Sequence, residues 1–395
     1  MIGGADWMTK VSMKARKEII DKHAGKYRKA RKKEKTEILS YVCSATGLSR
    51  DRAARVLRGE KKPKSRQKPR KKPGRKRIYD FEVCQALKKV WTYMDFACGK
   101  RLHEGIGDML DALIRFREIS WDEEIISKLH QMSASTIDRL LRKEKDSLRL
   151  KGISTTKPGT LLKRDIPIRL GQQWDDAVPG YVEVDLVAHC GASAAGEYIN
   201  TLNVTDICTG WTEPVAVLNK AQKHVFAGLM AVQRRQPFDY LGIDSDNGSE
   251  FINHELKRYC DQNGICFTRS RPYTKNDGCH IEQKNWLLVR RHIGYGRYEG
   301  EKALELFNEY YGLLRLYVNF FQPSTKLIEK QRNGAKISKR YEKPQTPYKR
   351  VLADKHILDS VKEALAQLFQ EINPAQLIRD MQRVRNELGQ HWIHD

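Results

Sequence analysis

The chain has no long apolar run. None of its hydrophobic stretches approaches the roughly 20 residues that cross a bilayer. The start, "MIGGADWMTKVSMKARKEIIDKH", lacks the apolar centre of a secretory signal, so the expected compartment is the cytoplasm. No Cys-x-x-Cys pair occurs: the cysteines at 43, 84, 98, 190, 208, 260, 266 and 279 are scattered. Such spacings suit neither a disulfide framework nor a Cys/His zinc site, and reduced thiols are expected. Acid is scarce as well. Across 395 residues, 73 Lys and Arg stand against 49 Asp and Glu, a formal net charge of +24. That excess favours a polyanionic partner, most simply nucleic acid, ahead of a membrane surface or an acidic protein.

What is present falls into blocks. Residues 1–60 read as a helical unit. In "EILSYVCSATGLSRDRAARVLRG" (37–59), Ile38, Leu39 and Val42 share a helical face, and Gly47 permits a sharp turn. Ser49 then caps a second helix that carries Ala53, Val56 and Leu57 inward. Arg50, Arg52, Arg55 and Arg58 lie off that stripe, as DNA contacts of a helix-turn-helix would; a plain helical hairpin is the alternative. Residues 61–79 form a basic linker, with eleven Lys or Arg and three Pro among the seventeen residues 61–77. This composition builds no core and suits non-specific phosphate contact. Residues 80–150 read as a second helical unit, in which "EEIISKLHQMSASTIDRLLRK" (123–143) repeats the helix-turn-helix pattern without a turn glycine.

The texture changes at 174–300. Three β-rich runs (181–190, 197–210, 211–218) precede a helical run (220–235), a strand (238–246), a helix (249–264), a strand (265–270) and a helix (280–293). That order indicates a mixed five-stranded α/β sheet. Residues 301–395 read as a helical, basic region, in which 326–350 is expected to be an exposed connector.

Three acids fall where such a fold brings elements together. Asp185 is central in the first strand, Asp246 ends the fourth, and Glu282 opens the helix after the fifth. Adjacent carboxylates repel unless a cation neutralises them, and Mg²⁺ or Mn²⁺ suits an all-oxygen set better than zinc does. Two such ions, roughly 4 Å apart, can serve in-line phosphoryl transfer. Asp244 stands two residues before Asp246 and shares its face if the run is extended.

Between Asp246 and Glu282 lie 35 residues. With "VDLV" around Asp185, "SDNGSEF" around Asp246 and "KNDGCHIEQKN" around Glu282, the sequence resembles DDE transposases and integrases of the retroviral-integrase superfamily. It looks most like bacterial insertion-sequence transposases, and "CTGWTE" (208–213) and "VRRHIGYGRYEG" (289–300) also resemble that group. The resemblance implies an RNase H-like catalytic core that cleaves DNA at element ends and transfers the 3′-OH to target DNA. It implies Asp185, Asp246 and Glu282 as ligands of two Mg²⁺ or Mn²⁺ ions, with Asp185 bridging them. Asn247 and Gly248 would support the turn at Asp246, and Asn285, three residues after Glu282, would face the same site. Lys284, Arg290, Arg291 and Lys275 are candidate contacts to double-stranded DNA, although Trp286 stands where family members carry a basic residue. A homo-oligomer that pairs DNA ends is implied too, in a bacterial, nucleoid-associated setting. A catalytically inactive DNA-binding regulator and a nuclease that cuts without joining are the alternatives.

Overall fold

The computed structural model describes residues 12–60, 78–148, 178–245, 251, 254–269, 284–333 and 336–393. They divide into two compact units, one before and one after the 77/78 boundary.

The first unit is a three-helix bundle of α1 (Met13–Lys29), α2 (Lys32–Thr46) and α3 (Arg50–Arg58). Its core is Tyr27, Leu39, Val42, Ala53 and Leu57. Gly47 closes α2 in the left-handed region, at φ 69°, where a Cβ is disfavoured. Gly47 thus ends α2, two residues before the Ser49 N-cap of α3. Val56, expected inward, is 38% exposed, because the short α3 buries only Ala53 and Leu57. Ser49 occupies the N-cap position without a side-chain bond.

The second unit opens with α4 (Phe81–Tyr93), α5 (Gly99–Arg115), α6 (Glu123–His130), α7 (Ala134–Leu140) and α8 (Arg142–Ser147). α5 approaches α7 so closely that a Cβ on Gly99 would lie 2.3 Å from the Ala134 carbonyl. Leu129, Ile137 and Leu141 join the same buried apolar cluster as Leu87, Leu110 and Leu314.

A five-stranded sheet follows, ordered β3-β2-β1-β4-β5. It comprises β1 (Tyr181–Ala188), β2 (Asn200–Asp206), β3 (Thr212–Val217), β4 (Gly242–Ser245) and β5 (Cys266–Arg269). β1, β2 and β3 pair antiparallel, while β4 pairs parallel with both β1 and β5. Helix α9 (Gln222–Gln233) sets Val225, Leu229 and Val232 in one core cluster with Val182, Val184, Leu202 and Val204. Helix α10 (His254–Asn263) adds Leu256 and Cys260 to that cluster. Expected strands and helices thus recur in the expected order, with β4 shorter than its sequence run.

After β5 the described chain resumes at Lys284 as a π-helical segment, Asn285–Arg290, continued by Arg291–Ile293. α11 (Gly300–Phe321) then covers edge strand β3. Two asparagines stitch it there. Asn308 accepts from the Ala216 amide (2.9 Å) and donates to its carbonyl (3.2 Å), and Asn319 does the same at Thr212 (3.0 and 2.9 Å). Eleven helical residues span about 16 Å and four strand residues about 14 Å, so the two grips match. An otherwise open sheet edge is covered.

The C-terminal region is helical apart from one segment. Residues expected to be a connector form an antiparallel ribbon, β6 (Leu327–Asn333) with β7 (Lys336–Tyr341). Helices α12 (Pro347–Ala353), α13 (Asp359–Glu371) and α14 (Pro374–Gln390) follow, and Leu377, Met381, Val384 and Leu388 of α14 are buried in the main apolar cluster. Among the described residues no helix is long and apolar enough to cross a membrane. The seven described cysteines are free thiols.

Candidate active site

β2 is buried along its whole length, yet it reads Asn-Thr-Leu-Asn-Val-Thr-Asp. Leu202 and Val204 meet the apolar layer under α9, so Thr201, Asn203 and Thr205 face the other way. Glu183 and Asp185 of β1 share that second face through the register pairs Glu183/Thr205 and Asp185/Asn203. Buried polar groups are costly unless paired, and most of this layer is paired. Thr201 Oγ1 meets Tyr311 Oη at 2.6 Å and His189 Nε2 at 2.8 Å. Burial pushes the His189 imidazole down to about 3, and the positive Arg290 acts in the same direction. Thr205 Oγ1 meets Thr212 Oγ1 at 3.2 Å.

Asp185 sits half-buried at the centre of this layer. Its Oδ2 accepts a 2.6 Å hydrogen bond from Asn285 Nδ2, and its Oδ1 accepts from the Leu186 amide at 2.8 Å. Asn285 Oδ1 in turn accepts from Asn203 Nδ2 at 2.8 Å. The chain Asn203–Asn285–Asp185 links β2, the π-helical segment and β1. Among the described residues, Asn203 Oδ1 has no hydrogen-bond partner, although it is buried. Sequence reasoning placed Asn285 by its spacing from Glu282 and missed Asn203. Its signal was the polar-apolar alternation of a strand that turns out to be buried on both faces.

Glu183 and Asp244 are buried directly opposite each other on β1 and β4, and Thr268 Oγ1 donates to Asp244 Oδ1 at 2.7 Å. Asp206 ends β2 and faces the turn to β3. Its carboxylate accepts from the Gly180 amide (2.9 Å) and from the Thr209 amide and hydroxyl (both 2.6 Å). Burial pushes it up to about 6 despite those bonds.

Asp246, Glu282, Asn247, Gly248 and Lys275 lie outside the described residues, as does most of the basic linker. Among the described residues no three His, Cys, Asp or Glu side chains gather to hold a metal ion. The β1/β4 register runs from Tyr181/Gly242 to Val184/Ser245 and so ends one residue before Asp185 and Asp246.

The basic residues after Glu282 have internal partners. Lys284 donates to the Gly210 carbonyl (3.2 Å), and burial, with Arg350 and Arg101 nearby, pushes its ammonium down to about 7. Arg290 donates to the Ala188 carbonyl (3.0 Å) and lies 4.7 Å from the Tyr295 ring centre. Arg291 pairs with Asp95 at 2.9 Å. Trp286, in contrast, is 51% exposed beside Asn285. In the first unit Arg50, Arg52, Arg55 and Arg58 are all exposed.

The family model for the integrase core domain matches residues 175–275. Together with the strand order, this match defines an RNase H-like core of the integrase class. The chain belongs to the integrase-core family. It is 39% identical over 341 residues to the uncharacterized protein y4rM of Sinorhizobium fredii (strain NBRC 101917 / NGR234), covering 86% of this chain and 96% of that protein. Among solved structures, it is similar to the catalytic core domain of BIV integrase (19% identity, TM-score 0.31, 45% of this chain and 96% of that one). It is also similar to the HTLV-2 integrase catalytic core domain in complex with magnesium (12% identity, TM-score 0.29, 38% and 93%).

Proposed function

We propose that the protein is a DNA transposase that cleaves element ends and transfers the resulting 3′-OH to target DNA, with Asp185, Asp246 and Glu282 as its catalytic acids. The observation that carries this reading is Asp185, held by Asn285 in a polar layer recessed between sheet and helix. In sequence Asp246 directly follows β4, the strand that lies beside β1, and β1 carries Asp185; this order supports the reading. Glu282 lies three residues before Asn285 in sequence, the spacing of neighbours on a helix face.

The donor set fits hard divalent cations. Asp185 offers carboxylate oxygen, and Asn203 Oδ1, which has no partner among the described residues, offers another oxygen for a bound water. Two Mg²⁺ or Mn²⁺ ions held by the three carboxylates would supply Lewis acidity for in-line phosphoryl transfer. Asn285 fixes the rotation of the Asp185 carboxylate, and Asn203 fixes the Asn285 amide. Asn247 and Gly248 would hold the turn at Asp246.

DNA recognition on this reading belongs to the first unit, whose exposed α3 arginines can meet a duplex, together with the linker 61–79. Lys275 remains a phosphate contact of this proposal; Lys284, Arg290 and Arg291 are engaged internally and act first by positioning the π-helical segment. A homo-oligomer holding paired ends, acting on DNA in a bacterial cell, completes the reading.

The test is cleavage and strand joining on element-end DNA with Mg²⁺ or Mn²⁺. Asp185→Asn and Asp246→Asn should each abolish both steps while leaving end binding intact. Joining at the wild-type level by either variant overturns the site. Retardation without nicking by the wild type identifies a regulator, and nicking without joined product identifies a nuclease.

A further inference from the structure

The ribbon β6–β7 has no role in the chemistry proposed above. It is a sheet of two strands only, and such a hairpin alone is marginally stable in water. Its base is firmly tied. Ser324 and Gln345 exchange backbone hydrogen bonds of 2.8 and 3.0 Å. Arg350 bonds Glu342, Ser324 and the Thr209 carbonyl, so the base is fastened to the β2–β3 turn of the catalytic sheet. Beyond that base, Gln331, Ser338, Lys339 and Arg340 are exposed.

Its charge is one-sided. Leu327–Tyr341 contains Lys330, Arg332, Lys336, Lys339 and Arg340 against the single acid Glu329. Glu329 is already paired with Arg340 at 3.3 Å. The register sets Lys330 directly opposite Lys339. An anion lying along the ribbon would be met by this excess of positive charge. A two-stranded ribbon is also narrow enough for the major groove of a duplex.

We propose that this ribbon is a DNA arm that lies on the phosphate backbone of duplex DNA and holds it against the catalytic unit. The proposal rests on the reading that the protein handles DNA and adds a second DNA-binding surface, separate from α3. The ribbon meets phosphate, so it positions the duplex without reading its sequence.

The test is the full chain carrying Lys330→Gln, Arg332→Gln, Lys336→Gln, Lys339→Gln and Arg340→Gln together. Duplex binding is titrated against salt and compared with wild type. The slope of log affinity on log salt should fall by about 0.9 for each phosphate that the variant no longer neutralises. Two such phosphates correspond to roughly a 60-fold weaker affinity at about 0.1 M salt. An unchanged slope overturns the arm. So does an unchanged slope with dissociation of an oligomer, which would make the ribbon an interface between copies. A wild-type chain that binds no DNA overturns the functional reading along with it. Should the variant not fold, acetylation of the wild type decides: duplex DNA should protect Lys330, Lys336 and Lys339, and full reactivity in its presence counts against the arm.

Discussion

Asn285 and Asp185, one hundred positions apart in the chain, are joined by a 2.6 Å hydrogen bond from amide to carboxylate. The donor belongs to a π-helical turn, a distortion common at functional sites, and the acceptor to the central strand of the sheet. Replacing Asn285 by Leu removes the grip on Asp185 and on Asn203 together. On the proposed function, cleavage and joining should slow by roughly 10- to 100-fold, the usual cost of losing a partner of a metal ligand. The Mg²⁺ concentration for half-maximal rate should rise, while end binding stays constant. An unchanged metal requirement would assign Asn285 to packing alone.

The stitches between α11 and β3 should matter for stability. Asn319→Ala leaves the buried Thr212 amide and carbonyl without their partners. The expected loss is about 1–3 kcal/mol in denaturant unfolding, since each orphaned group bears its desolvation cost. Wild-type stability in this variant would mean that the edge is covered by other means.

Acid should weaken the second unit through His189. Its folded pKa, about 3, lies below the ordinary histidine value of 6.5 because burial opposes the charge. The unfolded chain therefore binds more protons between those values, and stability rises with pH across that window. The contribution is complete above pH 6.5 and is lost as pH falls toward 3. His189→Gln, which can still bond Thr201, should flatten the decline between about pH 6 and 4. An identical slope in wild type and variant would remove His189 as a cause.

Arg52→Ala with Arg55→Ala should weaken duplex binding and lower its salt slope without unfolding the first unit, because both side chains are exposed. Gly47→Val, by contrast, should destabilise that unit by about 1–2 kcal/mol, since φ at this turn is 69°. Thermal unfolding of the full chain, followed beside DNA titration, separates the two effects.

Much of this protein was legible in one dimension. β1, β2 and β3 were readable as β-rich runs with turn residues between them, and α9 because Val225, Leu229 and Val232 recur at helical spacing. The order of acidic motifs, with Asp246 and Glu282 at a fixed spacing, pointed to the integrase class. The ribbon was not seen. Its strands are charged on both faces, so no apolar period marks them, and Asn333-Gly334 was the one local turn signal.

The sequence by itself determined element type, order and the excess of positive charge, because these depend on local periodicity and composition. Only the tertiary structure decided which polar residues are buried and what each one holds. Asn203 reaches Asn285 through strand register and helix docking, and Lys284 turns to a carbonyl instead of to solvent. Such pairings are set by packing between distant segments, whose geometry no stretch of chain encodes alone.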